Sequence, residues 1–268
     1  MRLRCTNLNQ SFAAPAASVE VLRDLNLETR EREFLTIVGP SGCGKTTILR
    51  LLAGLAAPTA GRVERRPSAG DKSDRVLLVF QENNLFPWLN LIDNTCFGLE
   101  MQGVARAERE SRCSAWIERV GLAGREKAYP HELSTGMKQR VALIRAFLID
   151  PAVLLLDEPF AALDYQTRLL MQQDLLELWD ESHRSIVFVT HDVDEAILLS
   201  DRILVLSHRP STVIEELEVT ALRPRSAASA PPSQTVELKR KDYSGPSTAC
   251  GTDFEVSRIG LGHHFKPS

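Results

Sequence analysis

One segment of this chain, residues 39–46, restricts its fold more than any other. It reads Gly-Pro-Ser-Gly-Cys-Gly-Lys-Thr and so satisfies the pattern G-x-x-x-x-G-K-[ST]. A strand-like apolar run at 34–38 precedes it, and a helix-like run at 45–55 follows it. Glycines let the backbone curl until successive N–H groups point inward as an anion-binding nest, and a helix that begins there adds the positive end of its dipole. The segment therefore predicts a strand–loop–helix unit that binds the phosphates of a nucleotide.

The side chains of this loop have separate predicted roles. Lys45 would bring a positive charge to the β- and γ-phosphates, and the Thr46 hydroxyl would bind Mg²⁺. The simpler alternative is a glycine-rich turn that binds no ligand. The other predicted nucleotide-binding residues of the loop are Gly39, Pro40, Ser41, Gly42, Cys43, Gly44 and Thr47.

Short apolar runs alternate with longer segments of helical period along the chain. The strand-like runs are rich in Val, Ile and Leu, which is typical of strands covered on both faces; they span 34–38, 75–80, 153–157, 185–190 and 202–207. The helix-like segments span 45–55, 135–149, 164–181 and 192–200. This alternation predicts an α/β fold with a mainly parallel sheet.

Two sections depart from the alternation. Residues 84–150 are mostly helical in pattern, with a charged helix at 105–120, and we interpret them as a helical insert between two core strands. The alternative is a pair of ordinary crossover helices. After Ser226 the chain becomes rich in Ser, Gly and Pro, which predicts a flexible tail over 223–268 and an ordered domain over 1–222.

An apolar strand ends in two adjacent acids, Asp157 and Glu158. Desolvating a carboxylate is costly unless it is paired or bound to a metal, so two acids at a buried strand end indicate a functional site. Neighbouring side chains of a strand point in different directions. We therefore expect Asp157 to bind Mg²⁺ and Glu158 to polarise the water beside the γ-phosphate. The alternative is that both acids cap the next segment.

Gln81 and His191 also follow core strands, at the edge where α/β sheets bind ligands. A neutral amide at position 81 could reach Mg²⁺ or the attacking water, and an imidazole at 191 could contact the γ-phosphate. The alternative for His191 is a surface or capping residue.

Composition excludes several classes of protein. The chain has 268 residues, with 32 Lys and Arg against 35 Asp and Glu, so a broad basic surface for nucleic acid is not expected. No apolar run approaches the roughly 18 residues of a membrane-spanning helix. The five cysteines are scattered without a Cys-x-x-Cys pair, as in reduced intracellular proteins.

Six motifs in this order resemble those of the ATPase subunits of ABC transporters. The segment Leu-Ser-Thr-Gly at 133–136 is similar to the signature that separates these ATPases from other phosphate-loop proteins. The signature carries Thr135 and Met137 where the family commonly has Gly and Gln, and Arg32-Glu33 stands where Gly-Glu is usual. The six motifs lie at 39–46, 81, 133–140, 154–159, 161–164 and 191.

The resemblance implies a P-loop NTPase (RecA-like) core, an N-terminal antiparallel β part and a helical subdomain. It also implies that two such subunits bind two ATP molecules head to tail. Ser134 and Gly136 of one subunit would then face the site of the other. In that arrangement the catalytic residues are Glu158, His191 and Gln81, and the Mg²⁺ ligands are Thr46, Gln81 and Asp157.

Two aromatic features extend this prediction. Phe12 would stack on adenine, with a plain core residue as the alternative. Phe86, Pro87 and Trp88 form an apolar patch after Gln81, which indicates a docking surface. By resemblance the partner is a cytoplasmic helix of a transmembrane permease; the alternative is packing beneath the helical insert.

The wording of four segments, at 86–94, 131–134, 162–168 and 189–196, resembles the importer ATPases for nitrate, sulfonates and taurine. The resemblance implies an ATP-driven importer subunit, peripheral on the cytoplasmic face of the membrane. Its partners would be a permease, a second ATPase subunit and, indirectly, a periplasmic or extracellular solute-binding protein. The alternatives are an exporter ATPase and a soluble regulatory ATPase.

Overall fold

The structure is a computed structural model that describes residues 1–13, 18–67, 75–182 and 184–220. The predicted tail, 223–268, lies outside the described residues, as does the predicted boundary before it. The strands are β1 (Arg2–Phe12), β2 (Val19–Glu28), β3 (Phe34–Val38), β4 (Ala60–Arg66), β5 (Val76–Val79), β6 (Val153–Asp157), β7 (Ser185–Thr190), β8 (Arg202–Leu206) and β9 (Val213–Glu218). The helices are α1 (Lys45–Ala53), α2 (Leu91–Met101), α3 (Arg106–Arg119), α4 (Thr135–Leu148), α5 (Tyr165–Ser182) and α6 (Val193–Leu199), with a 3₁₀ turn at Pro130–Glu132.

A six-stranded sheet forms the centre of the fold, in the order β5-β6-β7-β3-β8-β9. The first five strands are parallel, and β9 is antiparallel to β8. Every residue of β3, β6, β7 and β8 is buried, which explains their continuous apolar runs. The mainly parallel α/β fold is confirmed, and the carboxyl ends of the parallel strands meet at one edge.

A second sheet contains the N-terminal strands in the order β2-β1-β4, all antiparallel. One face of this sheet packs on the core through buried residues such as Leu3, Leu8 and Leu25. This is the antiparallel β part that the resemblance implied.

Helices α2, α3 and α4 lie between β5 and β6, which are neighbouring parallel strands. Residues of these helices and their loops form an apolar cluster of their own, which includes Leu91, Ile117, Val141 and Ile144. Three helices with a separate core make an insert, and the alternative of two ordinary crossover helices is wrong.

The turn before β3 contains the unusual Arg32-Glu33 pair. Arg32 has φ 57°, in the left-handed region that glycine adopts without strain. Glu33 is buried, and its Oε1 accepts a hydrogen bond of 2.7 Å from Arg202 Nε. Arg202 also donates to Glu216 Oε1 at 2.7 Å and to the Glu28 carbonyl at 2.5 Å. The turn is therefore fixed by a buried ion pair.

Replacing Arg202 by Met should lower the free energy of unfolding by about 3–5 kcal/mol, because it leaves the Glu33 carboxylate buried without its partner. Urea unfolding followed by circular dichroism measures this change. The double variant Glu33→Gln, Arg202→Met removes both charges and should recover part of the loss. A single variant as stable as the wild type would contradict the assigned role of the pair.

Candidate functional site

The glycine-rich loop takes a shape that side chains would prevent. Gly42 has φ 75° and Gly44 has φ 114°, both in the left-handed region. A Cβ at Gly44 would lie 2.7 Å from Val21 Cγ1, so β2 approaches the loop too closely for a larger residue. Gly44 also precedes α1 without any side-chain cap on the helix. The first N–H groups of α1 are therefore directed at the loop, as in anion-binding helix ends.

Lys45 places its ammonium at the mouth of the loop. Its Nζ donates to the carbonyls of Gly39 at 2.8 Å and Pro40 at 3.2 Å. It also lies 3.6 Å from Glu158 Oε1, and its side chain is only 5% exposed. The backbone of the loop thus holds one buried positive charge in position beside the carboxylate at the end of β6.

Asp157 and Thr46 form a pair of oxygen ligands next to this charge. The Thr46 hydroxyl donates to Asp157 Oδ1 at 3.1 Å. Burial raises the pKa of the Asp157 carboxyl, the Thr46 hydrogen bond opposes this rise, and the neighbouring Glu158 adds to it. A hard divalent cation would favour the ionised form. Among the described residues, no three His, Cys, Asp or Glu side chains are arranged so that they alone could hold a metal ion, but Mg²⁺ needs only one or two protein ligands beside substrate phosphates. The residues therefore fit Mg²⁺.

Glu158 is oriented by three neighbours. Its backbone has φ 43°, and its N–H donates to the Val189 carbonyl at 3.0 Å. Its Oε2 hydrogen-bonds to His191 Nδ1 at 2.9 Å, and its other oxygen faces Lys45. The side chains of Asp157 and Glu158 thus contact Thr46, Lys45 and His191. His191 is 56% exposed but belongs to this hydrogen-bonded group.

A cavity of about 460 Å³ lies beside these groups. One wall is apolar and comes from the N-terminal sheet: Phe12, Val19 and Val21. Phe12 is 47% exposed, so the alternative of a plain core residue is wrong. The remaining described lining residues are Gly42, Gly44, Lys45, Thr46, Thr47, Glu158 and Arg209.

Arg209 was missed by the sequence analysis. It belongs to none of the recognised motifs, yet it lies shortly after β8, at the same strand edge as Gln81 and His191. The strand-end argument that singled out those two residues would have reached it if applied to the last parallel strand.

Several predicted residues lie outside the cavity. Cys43 is buried, so only its backbone is available to a ligand, while Ser41 is exposed. Gln81 is exposed in a bend after β5, the strand next to β6. Neither Gln81 nor the pair Ser134 and Gly136 is among the described lining residues.

The signature segment forms the start of α4. The exposed Ser134 is the N-cap residue, and its hydroxyl accepts from the Met137 N–H at 3.3 Å. Thr135 is also exposed, whereas Met137 packs into the helical cluster. A Cβ at Gly136 would lie 2.7 Å from Thr167 Cγ2, so a larger residue there would have to displace this side chain of α5.

The predicted docking patch, Phe86-Pro87-Trp88, lies before α2. Trp88 is 70% exposed, while Phe86 packs on Phe97 with ring centroids 4.5 Å apart. The buried Asn94 side chain hydrogen-bonds to the Phe86 N–H and carbonyl at 2.8 and 3.1 Å. Phe86 therefore packs against the insert as the alternative expected, whereas Trp88 does not.

Arg145, near the end of α4, holds the segment that leads to this patch. Its Nη2 donates to the carbonyls of Asn83 and Asn84, both at 3.2 Å. Its guanidinium also lies 5.7 Å from the Phe86 ring centroid. The patch is thus attached to both α2 and α4.

None of the described helices is long and apolar enough to cross a membrane.

Comparisons with known proteins agree with the motifs. The sequence profile of the family described as "ABC transporter" matches residues 22–161. An uncharacterized ABC transporter ATP-binding protein of Methanocaldococcus jannaschii is 46% identical over 231 residues, which are 85% of this chain and 86% of that protein. A nitrate import ATP-binding protein of Synechocystis is 42% identical over 243 residues, 90% of each chain. An aliphatic sulfonates import ATP-binding protein of Bacillus thuringiensis is 40% identical and covers 85% of this chain and 90% of its own length.

Among solved structures, the fold is similar to that of a dimeric ATP-binding cassette in a post-hydrolysis state with ADP and phosphate. The two chains have a TM-score of 0.72 and 29% identity, over 82% of this chain and all of the other. The resemblance found in the sequence is confirmed. The chain belongs to the ABC transporter ATP-binding family and is an ATP-hydrolysing protein of that family.

Proposed function

We propose that this protein is the Mg²⁺-dependent ATPase subunit of an importer for a small anion such as nitrate, a sulfonate or taurine. ATP hydrolysis is supported by two sets of side-chain contacts beside the glycine-rich loop. Thr46 hydrogen-bonds to Asp157, and Glu158 contacts both Lys45 and His191. The import part is supported by the nitrate and sulfonate import proteins that are about two-fifths identical along most of the chain.

In the proposed binding mode, ATP occupies the cavity between the loop and the N-terminal sheet. Its adenine would stack on Phe12, and its phosphates would meet Lys45 and the N–H groups of the loop. Thr46, Asp157 and Gln81 would hold Mg²⁺, which when bound neutralises charge on the phosphate oxygens. The buried Lys45 supplies a second positive charge without a reorganisation cost, because the loop carbonyls already orient it.

Hydrolysis requires a water molecule in line with the terminal phosphate. Glu158 would accept a hydrogen bond from this water and polarise it, and His191 would fix the carboxylate and contact the γ-phosphate. Lys45 Nζ lies 3.6 Å from Glu158 Oε1, so Lys45 and His191 contact the two oxygens of this carboxylate from different sides.

The site is proposed to be completed by a second subunit. Ser134 and Thr135 at the start of α4 are exposed, and neither they nor Gly136 are among the described lining residues of the cavity in their own chain. In a head-to-tail dimer, Ser134 and Gly136 would face the γ-phosphate bound by the partner. A dimeric arrangement of the similar cassette supports this proposal. Hydrolysis would then depend on closure of the two subunits.

The coupling to transport is proposed to run through the patch of Phe86, Pro87 and Trp88. An exposed Trp beside a partly buried Phe on a rigid support has the composition of an interface centre. The patch would receive a cytoplasmic helix of the permease, which places the protein peripherally on the cytoplasmic face of the membrane. A solute-binding protein would deliver the anion to the permease from the other side.

Replacing Trp88 by Ala should weaken binding to the permease by roughly 30-fold or more, since hot-spot aromatics are worth at least about 2 kcal/mol. Tagged wild-type and variant chains are compared by co-purification from native membranes and by titration onto the isolated permease. Leu55→Ala removes another exposed apolar side chain and serves as the control. Equal binding of the Trp88 variant would count against the patch.

Uptake in living cells tests the function itself. Deletion of the gene should abolish uptake of labelled nitrate, taurine or an alkylsulfonate, and the wild-type chain but not Glu158→Gln should restore it. A defect in efflux would instead support an exporter. An ATPase that restores uptake without binding a permease would contradict the proposal.

A further inference from the structure

Arg209 lies in the short loop that joins β8 to β9, against the glycine-rich loop. Its Nε donates a hydrogen bond to the Gly42 carbonyl, and its Nη2 lies 3.1 Å from the position that a Cβ on Gly42 would occupy. It is one of two cationic side chains among the described residues that line the cavity, the other being Lys45. The two differ in setting, because Lys45 is buried and Arg209 is exposed at the rim.

The loop that carries Arg209 is fixed on two sides. The hydroxyl of the buried Ser211 donates to the Cys43 carbonyl within the glycine-rich loop. On the other side, the Ser211 N–H donates to the Val21 carbonyl at 2.8 Å, and the Arg23 N–H donates to the Ser211 carbonyl at 3.0 Å. Arg209 is therefore presented by a segment that is tied both to β2 and to the phosphate-binding loop.

The charge of Arg209 is not neutralised by a neighbouring acid. Within the described ranges no Asp or Glu forms an ion pair with it, whereas Arg202 at the other end of β8 pairs with both Glu33 and Glu216. A guanidinium has five N–H donors in a planar fork, and Gly42 uses one of them. The remaining donors and the positive charge are available at the rim of the cavity.

We propose that Arg209 is a further nucleotide-binding residue, whose Nη groups donate to the phosphate chain of the bound nucleotide. The inference rests on the proposed assignment of this cavity to ATP. Its Nε bond to Gly42 pre-orients the guanidinium, so little side-chain freedom is lost when the phosphates bind. Lys45 is the buried cation at the mouth of the loop, and Arg209 is the exposed cation at the rim of the cavity.

Competition with a fluorescent ATP analogue on the full-length chain tests this role through the Kd values of ATP, ADP and adenosine. Arg209→Ala should raise the Kd of ATP and of ADP about 10-fold, as expected for one lost hydrogen bond to a charged group. The Kd of adenosine should stay within twofold, because adenosine carries no phosphate. Arg209→Lys keeps the charge without the fork and should recover part of the affinity. The effect should shrink at high salt, because the side chain is exposed.

His208→Ala, at the neighbouring exposed position, is the matched control and should leave all three Kd values unchanged. An unchanged Kd of ADP in Arg209→Ala would overturn the inference. An equal loss for adenosine would also overturn it, because the side chain would then only support the loop or contact the ribose. Failure of the wild-type chain to bind ATP would instead overturn the proposed function of the cavity.

Discussion

Replacing Glu158 by Gln is expected to lower steady-state ATP hydrolysis by about 10²–10⁴-fold, the usual contribution of a positioned general base. The amide keeps the size of the side chain and can still hydrogen-bond to His191, so the site should keep its shape. It cannot accept a proton from water as the carboxylate does. Nucleotide binding should therefore persist while turnover is lost, and phosphate release together with equilibrium binding measures both.

Glu110→Gln is the matched control for this experiment. Glu110 lies on the surface of α3 and pairs with Arg106, far along the chain from the strand-end acids. Its substitution should leave hydrolysis unchanged. Undiminished turnover in Glu158→Gln would contradict the proposal that this carboxylate polarises the water. Loss of both ATP binding and turnover would mean instead that Glu158 maintains the structure of the site.

Replacing Lys45 by Ala is expected to weaken ATP binding by roughly 10²–10⁴-fold, from the loss of two charge-assisted hydrogen bonds of about 1.5–3 kcal/mol each. The structural reason is that the ammonium is already buried at the mouth of the loop, held by the Gly39 and Pro40 carbonyls. Its removal leaves the phosphates without their buried cation, and the exposed Arg209 cannot replace it. Isothermal titration with ATP and ADP measures the change.

The exposed Lys127 provides the control, since Lys127→Ala removes an equal charge elsewhere on the surface. Thermal unfolding of Lys45→Ala without nucleotide shows whether the variant folds. ATP affinity within a few-fold of the wild type would mean that the loop binds phosphate through its backbone alone.

The sequence predicted the parallel sheet well because its strands are buried on both faces. The expected runs at 34–38, 153–157 and 185–190 coincide with β3, β6 and β7, and every helix for which bounds were expected ends within two residues of them; α2 had no expected bounds. A continuous apolar run bounded by polar residues leaves little freedom in where such a strand begins or ends.

The N-terminal sheet could not be predicted strand by strand from its pattern. In β1 buried and exposed residues alternate imperfectly, because its pairing with β2 shifts register several times. Such irregularities break the period of two that identifies a half-buried strand. This part of the fold was reached through the resemblance of the whole chain.

The site residues that belong to sequence motifs could be predicted. Motif residues such as Lys45 and Asp157 have fixed spacing along the chain, and the structure brings both to the same loop. Arg209 belongs to no motif of fixed spacing; its place after β8 is visible in the sequence, but its contact with Gly42 is tertiary and is not. The close approach of Thr167 on α5 to Gly136 is likewise a tertiary contact.

Helix α4 connects the signature segment at its start with the segment before the aromatic patch at its end. It is a continuous helix of 14 residues, about 21 Å long at 1.5 Å per residue. Ser134 stands at its first end, and near its last turn Arg145 grips the carbonyls of Asn83 and Asn84, on the segment that leads to Phe86. Because a continuous helix moves nearly as a rigid body, a tilt of α4 at Ser134 would also move its end at Arg145. In the proposed dimer, a displacement at Ser134 would therefore be transmitted along α4 to the segment that leads to Phe86.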